Sequence, residues 1–163
     1  MESSDSEKDR ARKAYDALLT YITASARSEK ECREKLYQKG YHKDEVEYAI
    51  ELAKKYRFVN DEEYTRNFLS FYKDKYGAKK LAYKLTTEKG VDREIADRLL
   101  NESISEDYEL EKCLSTAQKY IKQKHIEDKS GAQKVYAFLY QKGFDYDTIS
   151  KTMPKLFDDR ADE

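Results

Sequence analysis

The chain has 163 residues, of which 40% are charged and 39% hydrophobic, and its formal net charge is only −1. It contains no run of roughly 18 apolar residues that could span a membrane, and its N-terminus lacks the apolar block of a secretory signal. We therefore expect a packed cytoplasmic protein that does not enter membranes.

Three copies of a leucine-to-glycine segment recur along the chain. Residues 36–41 read LYQKGY, residues 139–144 read LYQKGF, and a looser copy occupies residues 85–91. A small residue precedes the leucine of each copy by eight positions: Ser28, Gly77 and Gly131. A period of about fifty residues is typical of stacked structural repeats, which usually present a binding surface.

The first repeat predicts three helices. Apolar residues at helical spacing indicate a first helix that runs to about Ala26. Ser28 and Glu31 have the spacing of a capping box, which predicts a second helix that ends at Gly40. A third helix carries the apolar residues of positions 46–53.

The other two repeats follow the same order. Asn60 is the predicted cap of the first helix in the second repeat, while Asp92 and Asp145 cap the third helices of repeats two and three. Pro154 is the only proline, so nothing interrupts the helices before it. The fold class that we predict is all-α, with three tandem three-helix repeats in an elongated, curved, solenoid-like array. Its segments are a disordered tail at 1–8, repeats at 9–58, 59–104 and 105–157, and an acidic tail at 158–163.

Residues suited to catalysis or metal binding are scarce. His42 and His125 are the only histidines, and His42 takes a helix-capping position, which favours a surface or capping role over catalysis. Cys32 and Cys113 lack a CxxC partner, so we expect free buried thiols rather than a disulfide. No phosphate-binding glycine loop or metal-ligand spacing occurs. We predict a protein that is not an enzyme and uses no cofactor.

Lysines are concentrated in two segments despite the near-neutral net charge. Residues 71–90 and residues 118–143 each contain six lysines against two acidic residues. If the middle helices align, these lysines form a basic stripe suited to phosphates or an acidic protein surface; the alternative is a solvated face. Interleaved tyrosines, such as Tyr76 and Tyr140, could stack on bases or pack in the interior. The residues that we expect to contact a partner or DNA are Lys73, Lys79, Lys80, Lys84, Lys122, Lys134 and Tyr83.

Four segments of the chain resemble the RecX family of recombination regulators. They are residues 59–64 (VNDEEY), 77–85 (GAKKLAYKL), 90–92 (GVD) and 27–36 (RSEKECREKL). With the third copy, the resemblance covers roughly residues 10–155, and the order and spacing of the segments make it specific.

The chain departs from the family pattern at three places in the second repeat. The pattern usually has two acids where Asn60 and Asp61 stand, an alanine at Thr65, and one residue fewer between Leu85 and Gly90. We expect these departures to keep the fold and to alter the packing around the second repeat.

The resemblance implies a bacterial regulator of DNA repair, homologous recombination and the SOS response. Such a protein binds the RecA recombinase, lies in the groove of its nucleoprotein filament and restrains its ATPase and strand-exchange activity. The resemblance transfers no catalytic residues, and we expect a monomer. Two alternatives stay open: a helical-repeat module that binds single- or double-stranded DNA, and an adaptor for another acidic partner.

Overall fold

The structure, a computed structural model, describes residues 2–157, and within this range it is helical without a strand. The predicted all-α class is thereby confirmed. Nine α-helices follow one another in the described range: α1 (Glu2–Ala24), α2 (Glu29–Gln38), α3 (Lys43–Lys55), α4 (Asp61–Tyr72), α5 (Ala78–Tyr83), α6 (Arg93–Ser103), α7 (Glu106–Lys124), α8 (Ala132–Gln141) and α9 (Tyr146–Leu156). Two short turns complete the order, a π-helical turn at Lys84–Glu88 and a 3₁₀ turn at Lys129–Gly131.

The N-terminal prediction needs a correction, because α1 begins at Glu2 and not after a disordered tail at 1–8. Residues 2–8 contain neither glycine nor proline, so no residue in this polar stretch breaks the helix. Met1 and the predicted acidic tail at 158–163 lie outside the described residues.

The helix caps follow the sequence pattern. The Ser28 hydroxyl accepts a hydrogen bond from the Glu31 amide at 3.3 Å, and the Glu31 carboxylate accepts one from the Ser28 amide at 3.1 Å. Asn60 accepts from two amides at the start of α4, and Asp145 accepts from the Thr148 amide at 2.8 Å. His42 stands at the start of α3, as predicted, and its backbone amide donates to Glu45 at 2.8 Å. Each of these bonds satisfies an N–H that the helix itself leaves unpaired.

The middle helix of the second repeat differs from the other two. Its leucine and glycine, Leu85 and Gly90, are five positions apart, whereas the corresponding residues of the first and third copies are four apart. The π-helical turn at Lys84–Glu88 lies where this extra residue falls. A π turn is the usual way for a helix to accommodate a one-residue insertion, so the predicted change in the second repeat is local.

The chain forms two compact units by the contacts of its backbone. Unit one comprises Met1–Asn67 and Leu85–Ala96, and unit two comprises Phe68–Lys84 and Asp97–Glu163. The core of unit one is built from small and branched residues of α1, α2 and α3 and of the connection after α3: Ala14, Leu18, Cys32, Leu36, Val46, Ala49, Ile50, Ala53 and Val59. The core of unit two is built from α7, α8, α9 and the connection between α8 and α9: Cys113, Ala117, Val135, Leu139, Phe144 and Ile149.

Both cysteines are free and buried, which confirms the prediction. Burial raises the pKa of the Cys32 thiol to about 12, and it also raises the pKa of Cys113. Because the thiolate is the reactive form, these side chains serve as small apolar core residues.

Candidate partner-binding surface

Three lysines surround one tyrosine ring in unit two. The ammonium nitrogens of Lys80 and Lys84 each lie 5.0 Å from the centroid of the Tyr76 ring, and that of Lys142 lies 5.8 Å away. We call Tyr76, Lys80, Lys84 and Lys142 the Tyr76 cluster. The ring quadrupole attracts each cation, so Tyr76 is a shared partner of the three lysines.

A close backbone approach brings the parts of the cluster together. The Gly77 amide donates to the Lys142 carbonyl at 2.8 Å, and the Lys79 amide donates to the Gly143 carbonyl at 3.0 Å. A Cβ on Gly77 would overlap the backbone of Gly143, which itself has a positive φ of 101°. Glycine is therefore required at both positions, and the start of α5 lies directly beside the end of α8.

A buried ion pair holds the connection between α4 and α5. The Glu109 carboxylate accepts from the Ala78 amide at 2.6 Å, while the Lys112 ammonium donates to the Lys73 carbonyl at 2.7 Å. The two side chains also pair with each other at 2.7 Å, with only 11% and 6% of their surfaces exposed. The pair thus fixes both ends of the loop that carries Tyr76 and adds no net charge to its surroundings.

The repeat positions that form the cluster in unit two form an ion pair in unit one. There, Glu31 follows Ser28 by three residues and pairs at 3.4 Å with Lys89, the residue before Gly90. Gly90 itself has no room for a Cβ, which would overlap the side chain of Lys30. This arrangement is electrostatically complementary, as is usual for a structural contact.

In unit two the corresponding positions are both cationic. Lys80 follows Gly77 by three residues, and Lys142 precedes Gly143. Two lysines therefore stand where unit one has a glutamate and a lysine, with Tyr76 between them as a shared partner. Two like charges at a packed contact repel each other and oppose folding. Residues that oppose folding in this way are found mainly at functional sites.

The predicted contact residues distribute unevenly around this cluster. Lys80 and Lys84 belong to it, and Lys79 lies beside it with its ammonium 5.3 Å from the Tyr140 ring. Lys73 lies over Tyr108 at 5.2 Å instead. Three further predicted residues are exposed, and in the part of the chain that the structure describes none of them has a ring contact with the cluster: Tyr83, Lys122 and Lys134.

The predicted contact set omits two residues of the cluster, Tyr76 and Lys142. Tyr76 stands out in the sequence only as a tyrosine that could stack on bases or pack in the interior, and Lys142 is not among the predicted residues. A signal for Lys142 exists in the sequence, because a lysine precedes the glycine of every copy: Lys39, Lys89 and Lys142. Every copy of the repeat therefore has a lysine at this position. Whether the charge of that lysine is neutralised depends on the residue that it contacts.

Exposed aromatic side chains lie on α4, α5 and α8, the helices that carry or adjoin the cluster residues. Tyr83 is 58% exposed at the end of α5, and Tyr140 is 55% exposed on α8. Phe71 on α4 is 73% exposed and contacts the ring of Tyr72, whose centroid lies 6.1 Å from that of Tyr76. Basic and aromatic side chains together suit a partner that offers anionic groups and flat or apolar surfaces.

Within the described range, no group of three or more histidine, cysteine, aspartate or glutamate side chains could hold a metal ion. None of the helices described there is long and apolar enough to cross a membrane.

Helices throughout residues 2–157, with a recurring middle helix, place the chain in the class of helical-repeat proteins. Two family models match it: "RecX, first three-helix domain" over residues 14–51 and "RecX, third three-helix domain" over residues 106–153. The chain belongs to the RecX family.

Individual relatives agree with this assignment. "Regulatory protein RecX" of Clostridium botulinum (strain Eklund 17B / Type B) is 34% identical over 145 residues, which are 87% of this chain and 68% of that protein. The protein of the same name from Clostridium perfringens (strain SM101 / Type A) is 32% identical over 146 residues, 88% of this chain and 68% of the relative. The crystal structure of RecX from Lactobacillus salivarius matches with a TM-score of 0.79 and 26% identity, covering 91% of this chain and 97% of that one.

Proposed function

We propose that this chain binds the RecA recombinase filament on DNA and inhibits or modulates its ATPase and strand-exchange activity. Membership of a family of regulatory proteins supports a regulatory role. The single observation that carries the proposal is the Tyr76 cluster, in which two lysines replace the glutamate–lysine pair of unit one.

The chemistry of the cluster fits a nucleoprotein partner. A filament on DNA repeats the same protein surface and the same phosphates at regular intervals, so a chain of repeats can engage it at several places. Contacts that are individually weak then add through a high effective concentration. Lysines held around a tyrosine suit carboxylates of the recombinase or phosphates of the DNA.

The first experiment measures ATP hydrolysis by the cognate RecA on single-stranded DNA while this protein is titrated. A binding titration with the same DNA and no RecA runs beside it at the same salt concentration. We expect ATPase activity to fall at protein concentrations too low to coat the DNA. Unchanged ATPase activity across the titration would refute the proposal.

A single substitution tests the role of the cluster. Lys80→Glu copies the glutamate of unit one, and it places an acid in the first turn of α5, where the helix dipole favours it. We expect unchanged or higher thermal stability, because the introduced carboxylate can pair with Lys142, together with a loss of ATPase inhibition of roughly tenfold in the required concentration.

The matched control is Lys119→Glu, which makes the same charge change at an exposed position of α7 that is not among the predicted contact residues. We expect this variant to inhibit like the wild type. Equal loss of inhibition in both variants would show that general charge, and not the cluster, governs the interaction.

A second candidate function, direct binding of DNA, is favoured by the exposed Tyr140, whose ring lies 5.3 Å from the Lys79 ammonium, and by the exposed Tyr83, which precedes Lys84 in the sequence. Binding of single-stranded DNA through three or four phosphates would give a log–log salt slope of about −2 to −3. Tight binding to bare DNA with such a slope, and no effect on RecA ATPase, would make this the function of the surface.

A further inference from the structure

Unit one contains an open pocket on a face that the Tyr76 cluster does not share. Its volume is about 530 Å³, and it is bordered by the end of α1, the connection between α3 and α4, and the start of α4. Its walls combine apolar side chains with two guanidinium groups: Leu19, Ile22, Phe58, Tyr64, Arg27 and Arg57. A mixed lining of this kind is typical of ligand sites, where apolar walls give affinity and a few polar groups fix orientation.

Arg57 stands in a backbone conformation that disfavours a side chain. Its φ is 61°, in the left-handed region, directly after Tyr56, the residue that caps the end of α3. At the corresponding position after α2 and α8 the chain has glycine, with φ of 93° at Gly40 and 101° at Gly143. Side chains kept in such a conformation are concentrated at functional sites. The Arg57 side chain is exposed and lines the pocket.

Arg27 lacks a full set of partners. Its guanidinium lies 4.6 Å from the centre of the Tyr21 ring, and one terminal nitrogen is 3.7 Å from the Glu31 carboxylate. The Nε atom is buried and has no hydrogen-bond partner within the described residues. A buried donor without an acceptor is unfavourable, and a small rotation of the guanidinium toward a carboxylate in the pocket would supply one.

Phe58 adds an apolar contact at the rim. Its side chain is 55% exposed, and its ring lies 6.2 Å from that of Tyr56. Exposed aromatic side chains beside arginines are the usual anchors of protein interfaces.

We propose that this pocket binds an acidic segment of a protein partner. A carboxylate lies between Arg27 and Arg57, where planar guanidinium groups can each donate two hydrogen bonds, and an apolar side chain of the same segment packs on Phe58 and Ile22. The proposal does not depend on the identity of the partner, so it stands apart from RecA binding through the Tyr76 cluster.

A protein segment fits this pocket better than a nucleic acid. Glu63 also lines the pocket, and it repels a run of several phosphates more strongly than one carboxylate whose charge two arginines offset. The segments of unit one contain 16 lysines and arginines against 18 aspartates and glutamates, so they provide no extended positive field.

The test uses the full chain labelled with ¹⁵N and the peptide acetyl-Asp-Leu-Phe-Asp-amide as the probe. We expect the Nε–Hε signals of Arg27 and Arg57 to shift in a saturable titration. The isosteric peptide acetyl-Asn-Leu-Phe-Asn-amide should bind roughly tenfold more weakly, because it lacks the charges that strengthen hydrogen bonds to guanidinium. A thymidine oligonucleotide should leave both signals unchanged.

Arg57→Gly separates binding from folding. Glycine relaxes the left-handed conformation, so we expect equal or higher thermal stability with roughly tenfold weaker peptide binding. The matched control is Arg12→Gln, which removes one positive charge from an exposed position of α1 and should bind like the wild type. The proposal is overturned if the acidic peptide shifts neither signal, if Arg57→Gly binds it as tightly as the wild type, or if the oligonucleotide alone shifts the two signals.

Discussion

The Glu109–Lys112 pair offers a sharp test of how the loop before α5 is held. Lys112→Met keeps the volume of the side chain and removes its charge. The Glu109 carboxylate is then buried with the Ala78 amide as its partner, and the Lys73 carbonyl loses the ammonium that donates to it at 2.7 Å. Breaking one side of a buried pair typically costs about 3–5 kcal/mol of unfolding free energy.

The double variant Glu109→Gln/Lys112→Met should be more stable than the single one. The glutamine oxygen can still accept from the Ala78 amide, and no uncompensated charge is buried. The double variant still lacks the hydrogen-bond donor to the Lys73 carbonyl, which costs about 1–3 kcal/mol of unfolding free energy. We therefore expect the second substitution to restore about 2 kcal/mol of the loss caused by the first.

Urea unfolding followed by circular dichroism at 222 nm measures these differences. A loss below about 1 kcal/mol in Lys112→Met, or a double variant no more stable than the single one, would refute the reasoning. ATPase inhibition gives a second readout, because freeing the loop at Lys73 should weaken inhibition even where the protein stays folded.

Two further predictions concern packing and pH. Gly77→Ala should cost about 3 kcal/mol of unfolding free energy, since its Cβ would overlap the Gly143 backbone. Gly40→Ala meets no atom within 4 Å and should cost only about 1 kcal/mol for its positive φ, and equal losses in a urea titration would contradict this account. The hydrogen bond from Arg10 at 2.7 Å, and a second from the His42 amide, lower the pKa of Glu45 below its ordinary value of 4.5. Its contribution to stability is therefore complete above pH 4.5 and is lost as the pH falls through the lowered pKa, so melting temperatures from pH 6 to pH 3 should fall less in Glu45→Gln than in the wild type.

Local features of the fold could be predicted from sequence because their causes are local. The capping box of Ser28 and Glu31 spans three residues, and the cap at Asp145 likewise acts on its own helix. The extra residue at the π turn is visible only when the three copies are compared, because Leu85 and Gly90 are five positions apart and the equivalent residues of the other copies are four apart.

The candidate site was predictable only in part, because its geometry depends on distant residues. Lys80 and Lys84 stand out as lysines of a middle helix, but Lys142 lies far along the chain and reaches Tyr76 through tertiary packing. The left-handed backbone at Arg57 is also invisible in the sequence, because arginine gives no signal for a conformation that glycine usually marks.

In both units an acidic side chain accepts a hydrogen bond from an amide at the start of a middle helix. An acid used in this way is not available to neutralise a lysine nearby. In unit one the Asp61 carboxylate accepts from the Glu29 amide at the start of α2, at 2.9 Å. In unit two the Glu109 carboxylate accepts from the Ala78 amide at the start of α5, at 2.6 Å. The middle helices α2 and α5 are thus each capped by an acid from a later first helix, and that acid is committed to structure.

The neutralising acid at the second position differs between the units. Glu31 balances Lys89 in unit one, whereas Lys80 takes the place of that glutamate in unit two. Glu109 cannot compensate, because the Ala78 amide and Lys112 already occupy its two oxygens. The positive charge of the Tyr76 cluster therefore follows from one exchange within a shared scaffold, which is why reversing that exchange with Lys80→Glu should remove the binding property and keep the fold.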